Sequence, residues 1–135
     1  MVSTLELYII PGELYPRRVT IYLAEKCLSP NDLQVQITAV STTLTLQMAA
    51  PGKPPGTGQT LALGDGTFIH QSIAILEYLE DMCDRNIDSP EIAQPSMRGT
   101  TLRERATTRE MMQLADEATS LFSLACHKGS GMFSM

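Results

Sequence analysis

Apolar and polar positions change rhythm several times along the chain. Leu5-Glu6-Leu7-Tyr8-Ile9-Ile10 is short, rich in β-forming residues and stopped by Pro11-Gly12, which predicts a buried strand over 5–10. Pro16 suits the first turn of a helix, where a missing N–H costs nothing. Over 17–27, Val19, Ile21, Tyr22, Leu23 and Ala24 are spaced by polar residues, as on one helix face that Leu28-Ser29-Pro30 should end. Leu33-Gln34-Val35-Gln36-Ile37 alternates strictly and predicts a second strand. The stretch 42–49 is ambiguous, with a short irregular helix as one reading, and 51–58 is a loop by its Pro and Gly content. Thr60-Leu61-Ala62-Leu63 and Thr67-Phe68-Ile69 flank Gly64-Asp65-Gly66, a strong hairpin signal. Ser72 is expected to cap a helix whose Ile73, Ile75, Leu76 and Leu79 suit one buried face.

Strand–helix–strand implies a parallel pair with a right-handed crossover. Followed by strand–strand–helix, it gives an α/β fold of thioredoxin-like layout, βαβ–ββα, over 1–83. Asn86, Asp88, Ser89, Pro90 and Pro95 break the rhythm and mark 84–96 as a linker. Over 97–125 a long helix is predicted, within a helical segment at 97–135. Leu102, Ala106, Met111, Leu114, Ala118, Leu121, Leu124 and Ala125 supply its apolar positions, and Arg103, Glu104, Arg105, Arg109 and Glu110 its wet side. Lys128-Gly129-Ser130-Gly131 should end it.

Composition narrows the function classes. With 135 residues, 43% apolar and 19% charged, the chain has globular proportions. No apolar run is long enough for a bilayer, and Met1-Val2-Ser3-Thr4 opens no secretory signal, so a reducing cytoplasm is the expected compartment. A net charge of -5, four Tyr, three Phe and no Trp argue against a nucleic-acid surface. Cys27, Cys83 and Cys126 form no CxxC pair. They read as free thiols, at least two of them packed as small apolar groups. His70 and His127 share no ligand spacing, so no metal site is expected. Neither Gly56-Thr57-Gly58 nor Gly64-Asp65-Gly66 continues into a nucleotide fingerprint. Met111 and Met112 read as interface or core residues.

The start of the helix at Ser72 carries the clearest chemistry. A helix N-terminus offers N–H groups and partial positive charge to a carboxylate. The Ser72 hydroxyl can donate to it, and Gln71 can bind an amino or carboxyl group; alternatively Ser72 simply caps the helix.

Three stretches carry a family resemblance. The run Tyr15-Pro16-Arg17-Arg18-Val19-Thr20-Ile21-Tyr22-Leu23-Ala24-Glu25-Lys26 resembles the first helix of glutathione S-transferases. Residues 55–67 resemble that family's loop and hairpin. Gln71-Ser72-Ile73-Ala74-Ile75-Leu76-Glu77-Tyr78-Leu79-Glu80-Asp81 is similar to its glutathione-site helix. The tail over 110–133 looks like the first long helix of the family's all-α domain, here shortened, and the flavour is of fungal transferase-like proteins.

The resemblance implies glutathione as the bound thiol. Gln71 and Ser72 would hold its γ-glutamyl end, the Gln59 backbone would stand where the family has a residue of a Val-Pro pair, and Lys53 could meet the glycine carboxylate. Glu13 occupies the position where many members carry Ser or Cys, so Tyr15, two residues on, is the expected thiol-activating donor. The expected reaction is addition of the thiolate to an apolar electrophile, giving a conjugate or a cis–trans isomer, in the setting of a fungal secondary metabolite. A lone amphipathic helix cannot bury its own face, so a homodimer is expected. The alternative is a non-catalytic binding or assembly module. A redox thiol protein is the weaker third reading, because Cys27 comes at the end of its helix.

Overall fold

The computed structural model describes residues 4–26, 35–42, 48–55, 59–85 and 95–129. The chain divides into two compact units, Met1–Pro95 and Ser96–Met135.

In the first unit, β1 (Leu5–Ile9) ends one residue before the predicted limit. The Ile10 carbonyl instead accepts the Glu13 N–H at 3.3 Å, closing a turn over Pro11 and Gly12. Gly12 sits at φ 87°, which the third position of a type II turn requires and glycine adopts freely. The first helix, α1 (Leu14–Glu25), therefore starts earlier than residue 17, and Pro16 falls in its first turn. It buries Pro16, Val19, Tyr22 and Leu23, a stripe at helical spacing. The predicted stop at Leu28-Ser29-Pro30 and the residue Cys27 lie outside the described residues.

β2 (Val35–Ala39) is the second strand and runs two residues past the predicted 37, while positions 33 and 34 lie outside the description. The ambiguous stretch resolves as strand at both ends: β3 (Ser41–Thr42) pairs antiparallel with β4 (Met48–Ala49) as a separate ribbon. The irregular-helix reading falls on residues 43–47 between them, which lie outside the described residues. β5 (Thr60–Ala62) and β6 (Phe68–Ile69) form the expected hairpin, and the Asp65 carboxylate accepts the Thr67 N–H at 2.8 Å in its turn.

The main sheet has order β2-β1-β5-β6, parallel between β1 and β2 and antiparallel elsewhere. Side chains alternate across it. Leu5, Leu7, Val35 and Leu61 face α1 and the next helix, α2 (Ser72–Arg85), packing with Val19, Tyr22, Leu23, Ile75, Leu79 and Cys83. The other face carries a polar network in which Tyr8 Oη donates to Glu6 Oε2 at 2.8 Å and Thr38 Oγ1 to Glu6 Oε1 at 2.8 Å. Helix α2 runs through Arg85, two residues into the stretch predicted as linker; residues 86–94 are not described.

The core also encloses a charged group. Lys26 Nζ lies 3.0 Å from Glu80 Oε2 with both side chains almost fully buried, and it donates to the Pro95 carbonyl at 2.9 Å. Tyr22 Oη donates to the same Glu80 carboxylate at 2.5 Å and stands 4.0 Å from Cys83 Sγ. The carboxylate thus meets two donors, the condition under which a buried ion pair is tolerated. Of the described cysteines, Cys83 is buried and Cys126 exposed, so the expected packing holds for one of them.

In the second unit, α3 (Leu102–Lys128) begins later than residue 97. Its side chains are exposed or half-buried, with Met111, Leu114, Leu121, Phe122 and Leu124 among the exposed.

Candidate functional site

Sheet topology brings the starts of two helices together. β5 reverses β1 and β6 reverses β5, so β1 and β6 point the same way. The helix after each therefore begins at one end of the sheet. Side-chain contacts agree: Arg18, early in α1, reaches Ser72 at the start of α2, and Lys26, just past α1, reaches Glu80 further along α2. The two helices run side by side in the same sense, and their positive N-terminal ends converge.

At α2 the cap differs from expectation. The Gln71 carbonyl accepts the Ile75 N–H at 2.9 Å, so Gln71 is the half-in residue and Ser72 the first helical one. The Gln71 side chain is exposed and Ser72 is buried, 4% accessible. Arg18 Nη1 donates to Ser72 Oγ at 3.5 Å. The Arg18 guanidinium also lies over the Tyr15 ring, 5.1 Å from its centroid. Tyr15, half-buried in the first turn of α1, and Ser72, 57 residues later, are thus joined through one side chain. Glu13 precedes α1, exposed, with no side-chain bond to the helix start.

The same end of the sheet holds the β5 start. Gln59 is buried, 6% accessible, and leads into buried Thr60. Thr60 Oγ1 and His70 Nδ1 are 3.3 Å apart, and the His70 ring stacks on Phe68 with centroids 6.5 Å apart. No described peptide bond is cis; the bond from Gly58 to Gln59 lies outside the description. The Tyr8 hydroxyl shares its one proton between Glu6 and the Pro51 carbonyl, 3.0 Å away, which seats the loop carrying Lys53 against β1. The Lys53 ammonium donates to the Pro54 carbonyl at 3.3 Å. Among the described residues no group of three His, Cys, Asp or Glu could hold a metal ion, and no described helix is long and apolar enough to cross a membrane.

Chemically, this end offers convergent helix N–H groups, a guanidinium, hydroxyls on Tyr15, Ser72 and Thr60, and an imidazole. Such an array suits an anionic, hydrogen-bonding ligand. Sequence reasoning gave Arg18 only a general positive potential and did not connect it to Ser72. Thr60 and His70 went unremarked as a pair, although they bracket the hairpin and must meet once its strands close.

The fold is an α/β one: a thioredoxin-like unit with a mixed four-stranded sheet, followed by a helical segment. Among solved structures it is similar to "Leishmania TDR1 - a unique trimeric glutathione transferase", at 22% identity and a TM-score of 0.55. The likeness covers 82% of this chain and 22% of that one, so the chain spans a minor part of its neighbour's length. It establishes the fold and gives no fungal affinity. No protein-family profile matches the chain, and no curated protein does.

Proposed function

We propose that this chain binds glutathione and acts as a glutathione-transferase-like enzyme. The observation that carries this reading is the convergence of the α1 and α2 starts, with Ser72 held by Arg18 beside Tyr15. In this reading Ser72 and Gln71 take the γ-glutamyl carboxylate and amine, the Gln59 backbone meets the peptide, and Lys53 meets the glycine carboxylate. The Tyr15 hydroxyl donates a hydrogen bond to the sulfur, stabilising the thiolate that remains once the thiol proton has passed to solvent. The thiolate then forms a C–S bond with an apolar electrophile, either expelling a leaving group such as halide or adding across a conjugated double bond whose carbanion takes a proton from solvent, to give a conjugate. Where the adduct rotates and expels the thiolate before protonation, the product is the cis–trans isomer. A fungal secondary metabolite in the cytoplasm is the proposed setting. A second copy of the chain is the proposed partner, supported by the exposed apolar side chains along α3.

Conjugation of reduced glutathione to an aryl halide tests the reading. Activity in the intact chain, reduced about a hundredfold in Tyr15→Phe, is the expected result. A second reading, a binding or assembly module without chemistry, is favoured by Glu13: when ionised it has no proton to give a thiolate. Saturable binding with no conjugation in either protein would select it.

A further inference from the structure

Arg18 touches both the residue put forward for the ligand's γ-glutamyl end and the one put forward for its sulfur. Its guanidinium carbon lies over the Tyr15 ring, 5.1 Å from the centroid, while Nη1 donates to Ser72 Oγ at 3.5 Å. A planar fork can stack with its face and donate from its edge at once, which a lysine ammonium cannot. The direction of the Ser72 contact is fixed, because arginine only donates. Ser72 Oγ must therefore accept, and its own O–H remains to be given away. Ser72 is 4% accessible, so bulk water is a poor recipient. An acceptor arriving at the convergent helix starts would receive that proton and face the guanidinium charge together.

We propose that Arg18 is the positioning residue for the ligand's carboxylate: it turns the Ser72 hydroxyl into a donor and ties the Ser72 end of the site to Tyr15. The inference rests on the glutathione reading above and names the side chain that sets its selectivity. A 3.5 Å contact is long beside the 2.7–2.9 Å of charge-assisted bonds, which leaves room for it to shorten when an anion binds.

The test is calorimetric titration of the whole chain with two probes. One is reduced glutathione; the other is 4-aminobutyryl-cysteinylglycine, which keeps the amine and the length but lacks the glutamyl α-carboxylate. The proteins are the intact chain, Arg18→Met, Arg18→Lys, Ser72→Ala and the double variant Arg18→Met/Ser72→Ala. Arg18→Met should weaken glutathione about tenfold, leave the carboxylate-free probe unchanged, and add nothing to the loss already caused by Ser72→Ala. Arg18→Lys should recover part of the affinity and covers the case in which Arg18→Met does not fold. Equal losses for both probes, or additive losses in the double variant, would overturn the inference as a merely structural effect. If the intact chain and Ser72→Ala behave as expected while the Arg18 variants match the intact chain, this inference alone fails. If the intact chain takes up no glutathione, the functional reading falls and this inference with it.

Discussion

Lys26 and Glu80 carry opposite charges almost completely out of water, so each depends on the other. Removing one member of such a pair leaves an uncompensated charge and costs about 3–5 kcal/mol. Lys26→Met should lower the urea-unfolding free energy by that order, and Lys26→Met/Glu80→Leu should restore much of it. The neighbours set a pH limit. Burial, before any other cause, raises the pKa values of Tyr22 and Cys83 above their ordinary 10.0 and 9.0, with the Glu80 hydrogen bond adding to the Tyr22 shift. The folded chain therefore keeps these protons where the unfolded chain releases them. Their contribution is fully present below about pH 9 and is lost as pH rises beyond it. Urea midpoints taken from pH 7 to pH 11 should fall on the alkaline side, and less steeply in Tyr22→Phe; identical slopes would refute the assignment. None of this stood out in the sequence. Tyr22 and Lys26 lie four apart and Glu80 and Cys83 three apart, each pair on one helix face, but only tertiary packing brings the two faces together. Arg18 escaped full notice for the same reason: a helix arginine is usually solvated, and its partner lies 54 positions away.

Among the elements, the start of α3 is the most tightly specified. Glu104 N–H donates to Thr101 Oγ1 at 3.2 Å, and the Glu104 carboxylate accepts the N–H groups of Thr100 and Thr101 at 2.8 and 3.0 Å. Those bonds hold the Glu104 carboxyl below its ordinary 4.5. Their contribution is present above that value and fades as pH falls below it. Thr101→Ala should cost about 1 kcal/mol and fray the first turn, read by amide hydrogen exchange over 102–105. Gly99→Ala should disturb the same box, because φ is +84° and a Cβ there would stand 2.3 Å from Glu104 Cβ. Thr101 and Glu104 three apart spell a capping box in the sequence, so the true start was legible although apolar spacing placed it at 97. The hairpin at 60–69 was legible for a similar local reason, its Gly-Asp-Gly turn. β3 and β4 were not: each is two residues long, and strands that short leave no alternation to read.

For the molecule as a whole, the order of strands and helices was readable because each element had the period of its own geometry, and the thioredoxin-like layout followed from that order. The meeting of α1 and α2 was not readable in detail, since it depends on β1 and β6 pointing the same way. That meeting is what brings Ser72 to Arg18, which already lies beside Tyr15 one turn along α1. The exposed apolar side chains of α3 bear on assembly. If a second copy covers them, sedimentation should show a dimer, and Leu121→Glu should shift it to monomer without lowering the melting temperature of the first unit. The most direct test of the central proposal is titration of the isotopically labelled intact chain with reduced glutathione, followed by amide chemical shifts. The account predicts saturable shifts concentrated at Ser72 to Ile75 and around Tyr15 and Arg18. Shifts confined to other parts of the chain, or none at millimolar tripeptide, would contradict it.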